Sequence, residues 1–293
     1  MATNDFLQAE AHGRRRVAIV SGVAAVLVLA SPLVGRVLIG SDIPDNAIAN
    51  ALLQADHRNA VLVSAALSAI GLLAITFVAD FLLRAVSNRA QVQSFVRPVL
   101  VIGGIGLAIF SITLQIVSAI RLEHFATEST LTWEELKEAQ SYGPFIFVGI
   151  VFQFAFAIGL ILVALNAMRV GLLTRFLGYL GVFSAVLFVI ALLPLPIVQA
   201  YWLAMLALLL WNIGGAREPP SWSSGREEPW PSAAEMREQR VRAAEEKRGG
   251  GTEERAGGAI EAVSADDDPD GDGRDAFGQP VPASAKRKRK KRR

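Results

Sequence analysis

The chain has 293 residues, 52% of them hydrophobic and 19% charged, with 29 Lys and Arg against 27 Asp and Glu and no cysteine. So apolar a composition, with charge confined to loops and ends, excludes an ordinary water-soluble domain. The missing thiols exclude disulfides, cysteine nucleophiles, Cys-ligated zinc and iron–sulfur clusters. Net charge says little, because the 80 residues from Gly214 on hold 17 basic and 16 acidic side chains while the preceding 213 hold 12 and 11.

Residues 1–16 form an N-terminal segment that ends in Arg14, Arg15 and Arg16. A helix needs roughly 20 apolar residues to cross about 30 Å of hydrocarbon. Four stretches meet this length, at 17–34, 60–83, 98–120 and 145–168. A fifth region has no charge between Arg175 and Arg217 and is too long for one crossing. Pro194 and Pro196 remove two backbone donors within it, so it folds back into spans 176–193 and 197–213. The expected fold is an all-α polytopic membrane bundle of about six transmembrane helices, 17–213, followed by a tail. A cleaved signal peptide is the competing reading of the first run. It is disfavoured because the run exceeds the usual apolar region of about 7–15 residues and no small-x-small cleavage site follows Pro32 and Gly35.

Basic residues alternate with acidic ones along the connections. Arg14 to Arg16, then Arg84, Arg89 and Arg97, then Arg169 and Arg175 fall on one side. The opposite connections carry Asp42, Asp45 and Asp56, and then Glu123, Glu128, Glu134, Glu135 and Glu138. By the positive-inside rule both termini are cytoplasmic and the protein is a multi-pass component of the plasma membrane.

Within the spans, Asp80 is the lone ionisable side chain, with Arg84 one turn later on the same face. Structural pairing is favoured over a proton or cation site, because Asp80 lies about one turn from water. Gln115 and Gln153, on the third and fourth spans, are expected to bond across the helix interface or to line a polar cavity. Small residues four apart, Ser64 and Ser68, Gly104 and Ala108, Ala155 and Gly159, Gly181 and Ala185, suit close helix packing within the bundle better than a homodimer interface. Gly103-Gly104-Ile105-Gly106 lacks the strand context of a nucleotide loop. Ala69-Ile70-Gly71-Leu72 returns as Ala157-Ile158-Gly159-Leu160, a weak sign of an internal repeat.

The first acidic connection predicts a short helix entered through Pro44 and Asp45, with Ile48, Leu52 and Ala55 on one face. The second predicts a helix from Trp133 to about Gln140, started by a Thr132/Glu135 capping box. Asp56, His57, Glu123 and His124 could meet at a metal only if the two connections packed together, and they lack ligand spacing. No cofactor, metal or catalytic residue is expected.

The tail, 214–293, is too polar for a core and reads as disordered and cytoplasmic, with a helical island at 233–248. Trp222 and Trp230 are expected in the headgroup region. Asp266, Asp268, Asp270 and Gly271 imitate a calcium loop, but Phe277 stands where a bidentate Glu is needed. The last eight residues, Lys286, Arg287, Lys288, Arg289, Lys290, Lys291, Arg292 and Arg293, form a polybasic run suited to anionic lipid or nucleic acid.

In 59–84 and in Val170-Gly171-Leu172-Leu173-Thr174-Arg175-Phe176-Leu177-Gly178 the chain resembles an uncharacterised family of small bacterial multi-pass, six-helix membrane proteins. The resemblance covers most of 1–213 and implies no activity. The functional expectation is a non-enzymatic interaction or envelope-associated component, with lipid, a protein partner or a second copy of the chain as contacts. A small-molecule or ion transporter using Asp80, Gln115 and Gln153 comes second, and a membrane-embedded enzyme third.

Overall fold

A computed structural model describes residues 2–39, 45–128, 130–190, 196–212, 219–228 and 230, together with 235, 237, 238, 241 and 242. The chain divides into one compact unit, Met1–Trp230, and a second, Pro231–Arg293. Regular structure in the described first unit is helical: α1 (Ala2–Ile39), α2 (Ala47–Asp56), α3 (Arg58–Ser87), α4 (Val96–Glu128), α5 (Trp133–Ala139), α6 (Phe145–Arg169), α7 (Arg175–Ile190), α8 (Ile197–Trp211) and α9 (Pro220–Ser224). In the second unit the five described residues are helical and fall inside the predicted 233–248 island, whose remainder lies outside the described residues, as does the polybasic run.

Helices α1, α3, α4 and α6 are long and apolar enough to cross a bilayer. The protein is a membrane-embedded all-α bundle. Helices α7 and α8 are equally apolar but have 16 and 15 residues, about 24 and 22 Å at 1.5 Å per residue. The expected fold-back at 191–195 lies outside the described residues. The N-terminal segment is not separate from the first span: α1 begins at Ala2 and runs past Pro32 to Ile39.

The six apolar helices close a ring in which α1 touches α3, α3 touches α4, α4 touches α6, α6 touches α7, α7 touches α8 and α8 returns to α1. Contact between α3 and α6 crosses the middle. Ile75, Val78, Leu82, Leu100, Phe156 and Leu203 fill the interior, each at most 1% exposed. Large apolar side chains also point outward, among them Val26, Ile102 and Val151 at 62–65% exposure. In water such a belt would drive aggregation, whereas against lipid it costs nothing.

Apolar side chains gain little by leaving lipid for protein, so close backbone approach has to hold the ring together. The glycines of α4 supply it. A Cβ on Gly103 would lie 2.5 Å from the Phe156 nitrogen of α6, one on Gly104 2.1 Å from the Thr76 hydroxyl of α3, and one on Gly106 2.4 Å from the Phe152 ring of α6. Gly159 answers from α6, where a Cβ would come within 2.7 Å of the Leu100 Cα. The ridges of α4 and α6 are thus spent inside the bundle. The recurrent tetrapeptide occupies matching environments: Gly71 faces Val28 of α1 as Gly159 faces Leu100 of α4, and Ile70 and Ile158 both face outward.

At the acidic end, the predicted short helices both form. Helix α2 is capped by Asn46, whose side chain accepts from the Ile48 N–H at 2.9 Å. Its Ile48, Leu52 and Ala55 pack with Ala51 onto Leu122 and Phe125 of α4 and Leu136 of α5. Both halves of the α5 capping box are made, Glu135 N–H to Thr132 Oγ1 at 3.4 Å and Thr132 N–H to Glu135 Oε2 at 3.3 Å. The Thr132 backbone donor, with the hydroxyls of Thr130 and Thr132, outweighs desolvation and holds the Glu135 carboxyl below the usual carboxylate range. A carboxyl with a lowered folded-state pKa stabilises above its unfolded pKa and loses that contribution as pH falls through the folded value.

Two outcomes follow. Gly103→Ala should destabilise the bundle by about 1–3 kcal/mol through overpacking, whereas Gly22→Ala, whose Cβ meets only the Ala207 Cβ at 3.9 Å, should be neutral; thermal unfolding in detergent reads both. Carbon-detected NMR titration of Glu135 should give a midpoint below that of an unstructured glutamate, rising only partway in Thr132→Ala because the backbone N–H stays, and a midpoint at the unstructured value in the unaltered protein would contradict the capping box.

Candidate functional site

The most densely built polar region lies at the arginine-rich end, where residues 219–228 and 230 fold back onto the turn between α6 and α7. That turn begins as a Schellman motif: the Leu172 N–H bonds the Ala167 carbonyl at 2.9 Å and the Gly171 N–H bonds that of Met168 at 3.2 Å, with Gly171 at φ +80°. Once α6 ends, the carbonyls of Val170, Leu172 and Leu173 need outside donors. The segment after α8 provides them. Ser221 Oγ donates to Val170, Trp222 Nε1 to Leu172 at 3.0 Å and Trp230 Nε1 to Leu173 at 3.0 Å, while the Glu228 N–H reaches Val170 at 3.3 Å. Gly171 is fixed twice over, by its left-handed backbone and by the Glu228 carbonyl, which a Cβ would meet at 2.0 Å.

Beneath this strap, Trp222 is 7% exposed and sits between two cations. The guanidinium carbons of Arg14 and Arg89 lie 4.9 and 5.3 Å from its ring centroid, and Phe81 stacks at 6.3 Å. Arg89 is the hub. Its side chain is fully buried, and it forks onto the equally enclosed Glu10 carboxylate with bonds of 2.8 and 2.9 Å. It also donates to the Ala85 carbonyl at 2.8 Å and the Ser221 carbonyl at 3.0 Å. One guanidinium therefore ties α1, α3 and the strap together, and its planar set of donors suits that task as an ammonium would not. Arg14 spans to the last turn of α8 by donating to the Leu209 carbonyl at 3.2 Å, where a cation also meets the negative end of the helix dipole. At the rim, Arg169 lies 3.7 Å from Glu227, and Arg175 donates to the Trp230 carbonyl at 3.4 Å.

These contacts change several expectations. The compact unit reaches Trp230, not 213, because the strap is held by the bundle's own unsatisfied carbonyls. Trp222 is packed in protein instead of lying among headgroups, and Trp230 is hydrogen-bonded to the α6–α7 turn. Asp80 does bond Arg84, as expected, but Arg97 of α4 joins at 2.8 Å, so the carboxylate links two helices. Both arginines keep more than half of their side-chain surface exposed.

Gln115 and Gln153 do not bond each other: one bonds across a helix interface and the other lines a cleft. The Gln153 amide donates to the Phe188 carbonyl near the described end of α7, a bond between α6 and α7. Gln115 lies with Ser111 on a separate cleft between α1, α2, α3 and α4. Asp80, Gln115 and Gln153 thus have three different surroundings. The acidic connections do pack together, yet Glu123 is taken by Arg58 at 2.5 Å and His124 by Glu128 at 3.1 Å, while His57 Nδ1 is 3.0 Å from the Leu53 carbonyl. No three metal-binding side chains gather among the described residues.

Sequence reasoning missed Glu10 and the burial of Arg89, which it used only as a sign of orientation. The available signal was Ser221-Trp222 and Trp230 within a polar stretch, two indole donors too close to the last span to be idle.

No family model matches the chain, and no curated protein or solved structure matches it either. The second segment that carried the family resemblance, 170–178, contains the turn on which the strap sits.

Arg89→Met should cost about 3–5 kcal/mol by leaving the Glu10 carboxylate buried and unpaired, and adding Glu10→Gln should recover most of that loss in thermal unfolding. Exchanging the other pair, Asp80→Arg with Arg84→Asp, should fail to restore stability, because the moved guanidinium would face Arg97.

Proposed function

We propose that the protein is a six-span scaffold of the plasma membrane, without chemistry of its own, that roots a charged tail at the cytoplasmic face and presents it to anionic lipid or nucleic acid. The observation that carries this reading is the strap: a chain leaving the last helix for solvent has no need of an enclosed arginine, two indole bonds and a glycine-shaped seat, whereas a tail that must start from a fixed point does. Both termini lie inside in this reading. The gathering of Arg14, Arg89, Arg97 and Arg175 at one end of the ring, and of Glu123, Glu128 and Glu135 at the other, supports that orientation. Closure of the ring by α7 and α8 supports counting them as the fifth and sixth spans.

From Trp230 to Lys286 the tether has a typical reach of about 40 Å, taking roughly 5–6 Å times the square root of its length. The eight terminal cations can therefore return to the inner leaflet, where each contributes about 1 kcal/mol near an anionic surface. Because the chain lacks cysteine, a fluorophore on Ala285→Cys in the full-length protein reports this directly. In nanodiscs carrying a lipid-borne quencher it should be quenched when anionic lipid is present, less so at high salt, and not in purely zwitterionic discs. Equal quenching in both discs would reject the lipid contact. Reporter fusions at Gly214 and within 130–138 should fall on opposite sides, and the same side for both would reject the six-span topology.

A further inference from the structure

We infer that the cleft between α1, α2, α3 and α4 at the acidic end is a binding site for a neutral polyhydroxylated group, the chemistry of a sugar. The cleft has a volume of about 350 Å³, within the roughly 300–1,000 Å³ range of small-molecule sites. It is roofed by α2. That helix turns its apolar side to α4 and α5 and presents Asn50 and Gln54 to the cleft, their amides joined at 3.0 Å. Deeper, Ser31 and Ser64 cross-link α1 and α3 by donating to each other's carbonyls at 3.0 and 2.7 Å. Below them the cleft is lined by Ser68 of α3 and by Ser111 and Gln115 of α4.

Depth makes these groups informative. Arg58 and Glu123, paired between α3 and α4, mark the polar boundary of these helices at the acidic end. Ser68 lies ten residues beyond Arg58 and Ser111 twelve before Glu123, about 15 and 18 Å inward along their helices, near the middle of a hydrocarbon layer of about 30 Å. Lipid offers no hydrogen bond at that depth, so polar groups there need protein, water or ligand partners. Elsewhere in the spans Ser21 uses the Leu203 carbonyl, Thr76 that of Leu72 and Gln153 that of Phe188, while Ser184 is sealed in the interior with no hydrogen bond among the described residues. Ser68, Ser111 and Gln115 instead converge on an open cleft, which stops one turn further in at buried Leu72 and Ala108 and the Thr76–Gly104 contact.

Charge selects the ligand class. Among the described residues no acidic or basic side chain lines the cleft, so an ion bound to them would shed water without gaining a counter-charge. Hydroxyls and carboxamides both donate and accept, which matches the alternating capacity of a polyol. The same chemistry occurs in a dissolved sugar and in a glycolipid headgroup, and the experiment separates the two.

In the full-length protein, Ser68→Cys and, independently, Ser111→Cys place a single thiol in the cleft with little change in volume. Reaction with a membrane-impermeant thiol reagent is followed in phosphatidylcholine nanodiscs alone, with free maltose, and with glucosyl diacylglycerol in the disc. Both thiols should react, and one of the two probes should slow the reaction. Slowing by the lipid assigns a membrane-borne ligand and slowing by maltose a dissolved one. Gln115→Leu should weaken that protection by about tenfold, as expected for one lost hydrogen-bonding partner. Thiols that do not react while Thr127→Cys at the exposed end of α4 does, or thiols that react equally with neither probe protecting, would overturn the assignment, the latter leaving a cleft that holds water only.

Discussion

Hydrocarbon offers a polar group nothing to bond with, and most of the architecture of this protein follows from that constraint. Helices satisfy their own backbones except at their ends, so the ends decide where polar side chains must go. Arg14 answers the last turn of α8, and Ser221, Trp222 and Trp230 the turn after α6. Each bond joins elements far apart in sequence. The same requirement that completes a helix terminus therefore also builds tertiary structure.

Packing between helices obeys a different rule. Apolar contact is available from lipid as well as from protein, so tight association requires geometry that lipid chains cannot match. Along α4 three glycines within four residues meet a backbone, a hydroxyl and an aromatic ring on two neighbours. This places α4 between α3 and α6 with little freedom to rotate. It also positions Asp80 beside Arg97 at one end and Ser111 beside Ser68 at the other. The functional features at both ends thus depend on contacts in the middle of the bundle.

Much of this was legible in the sequence, and the part that was not has a physical reason. Length and hydropathy give the apolar helices because the bilayer imposes a length, and Thr132 with Glu135 gives α5 because a capping box is local. Asp80 with Arg84 was readable for the same reason, since i and i+4 share a face. Arg97, seventeen residues away from Asp80, was not. Glu10 and Arg89 are separated by 79 residues, and only the fold says that they meet. The strap was the largest omission: 219–230 has the composition of a disordered linker, and composition weighs residues singly, whereas here two indoles and one serine meet three waiting carbonyls. For Gln115 and Gln153 the sequence left an interhelical bond and a polar cavity as alternatives, and helix rotation, which the sequence does not give, sends Gln153 to α7 and Gln115 to the cleft.

The central claim is that the chain after α8 is seated on the bundle through Trp222 and Arg89, and exchange of the indole N–H protons measures it most directly. In nanodiscs, the Trp222 and Trp230 indole protons should exchange slowly with deuterated solvent, while that of Trp133, 48% exposed on α5, exchanges fast; Arg89→Gln should bring Trp222 toward the Trp133 rate. Trp222 and Trp230 exchanging as fast as Trp133 in the unaltered protein would contradict the account.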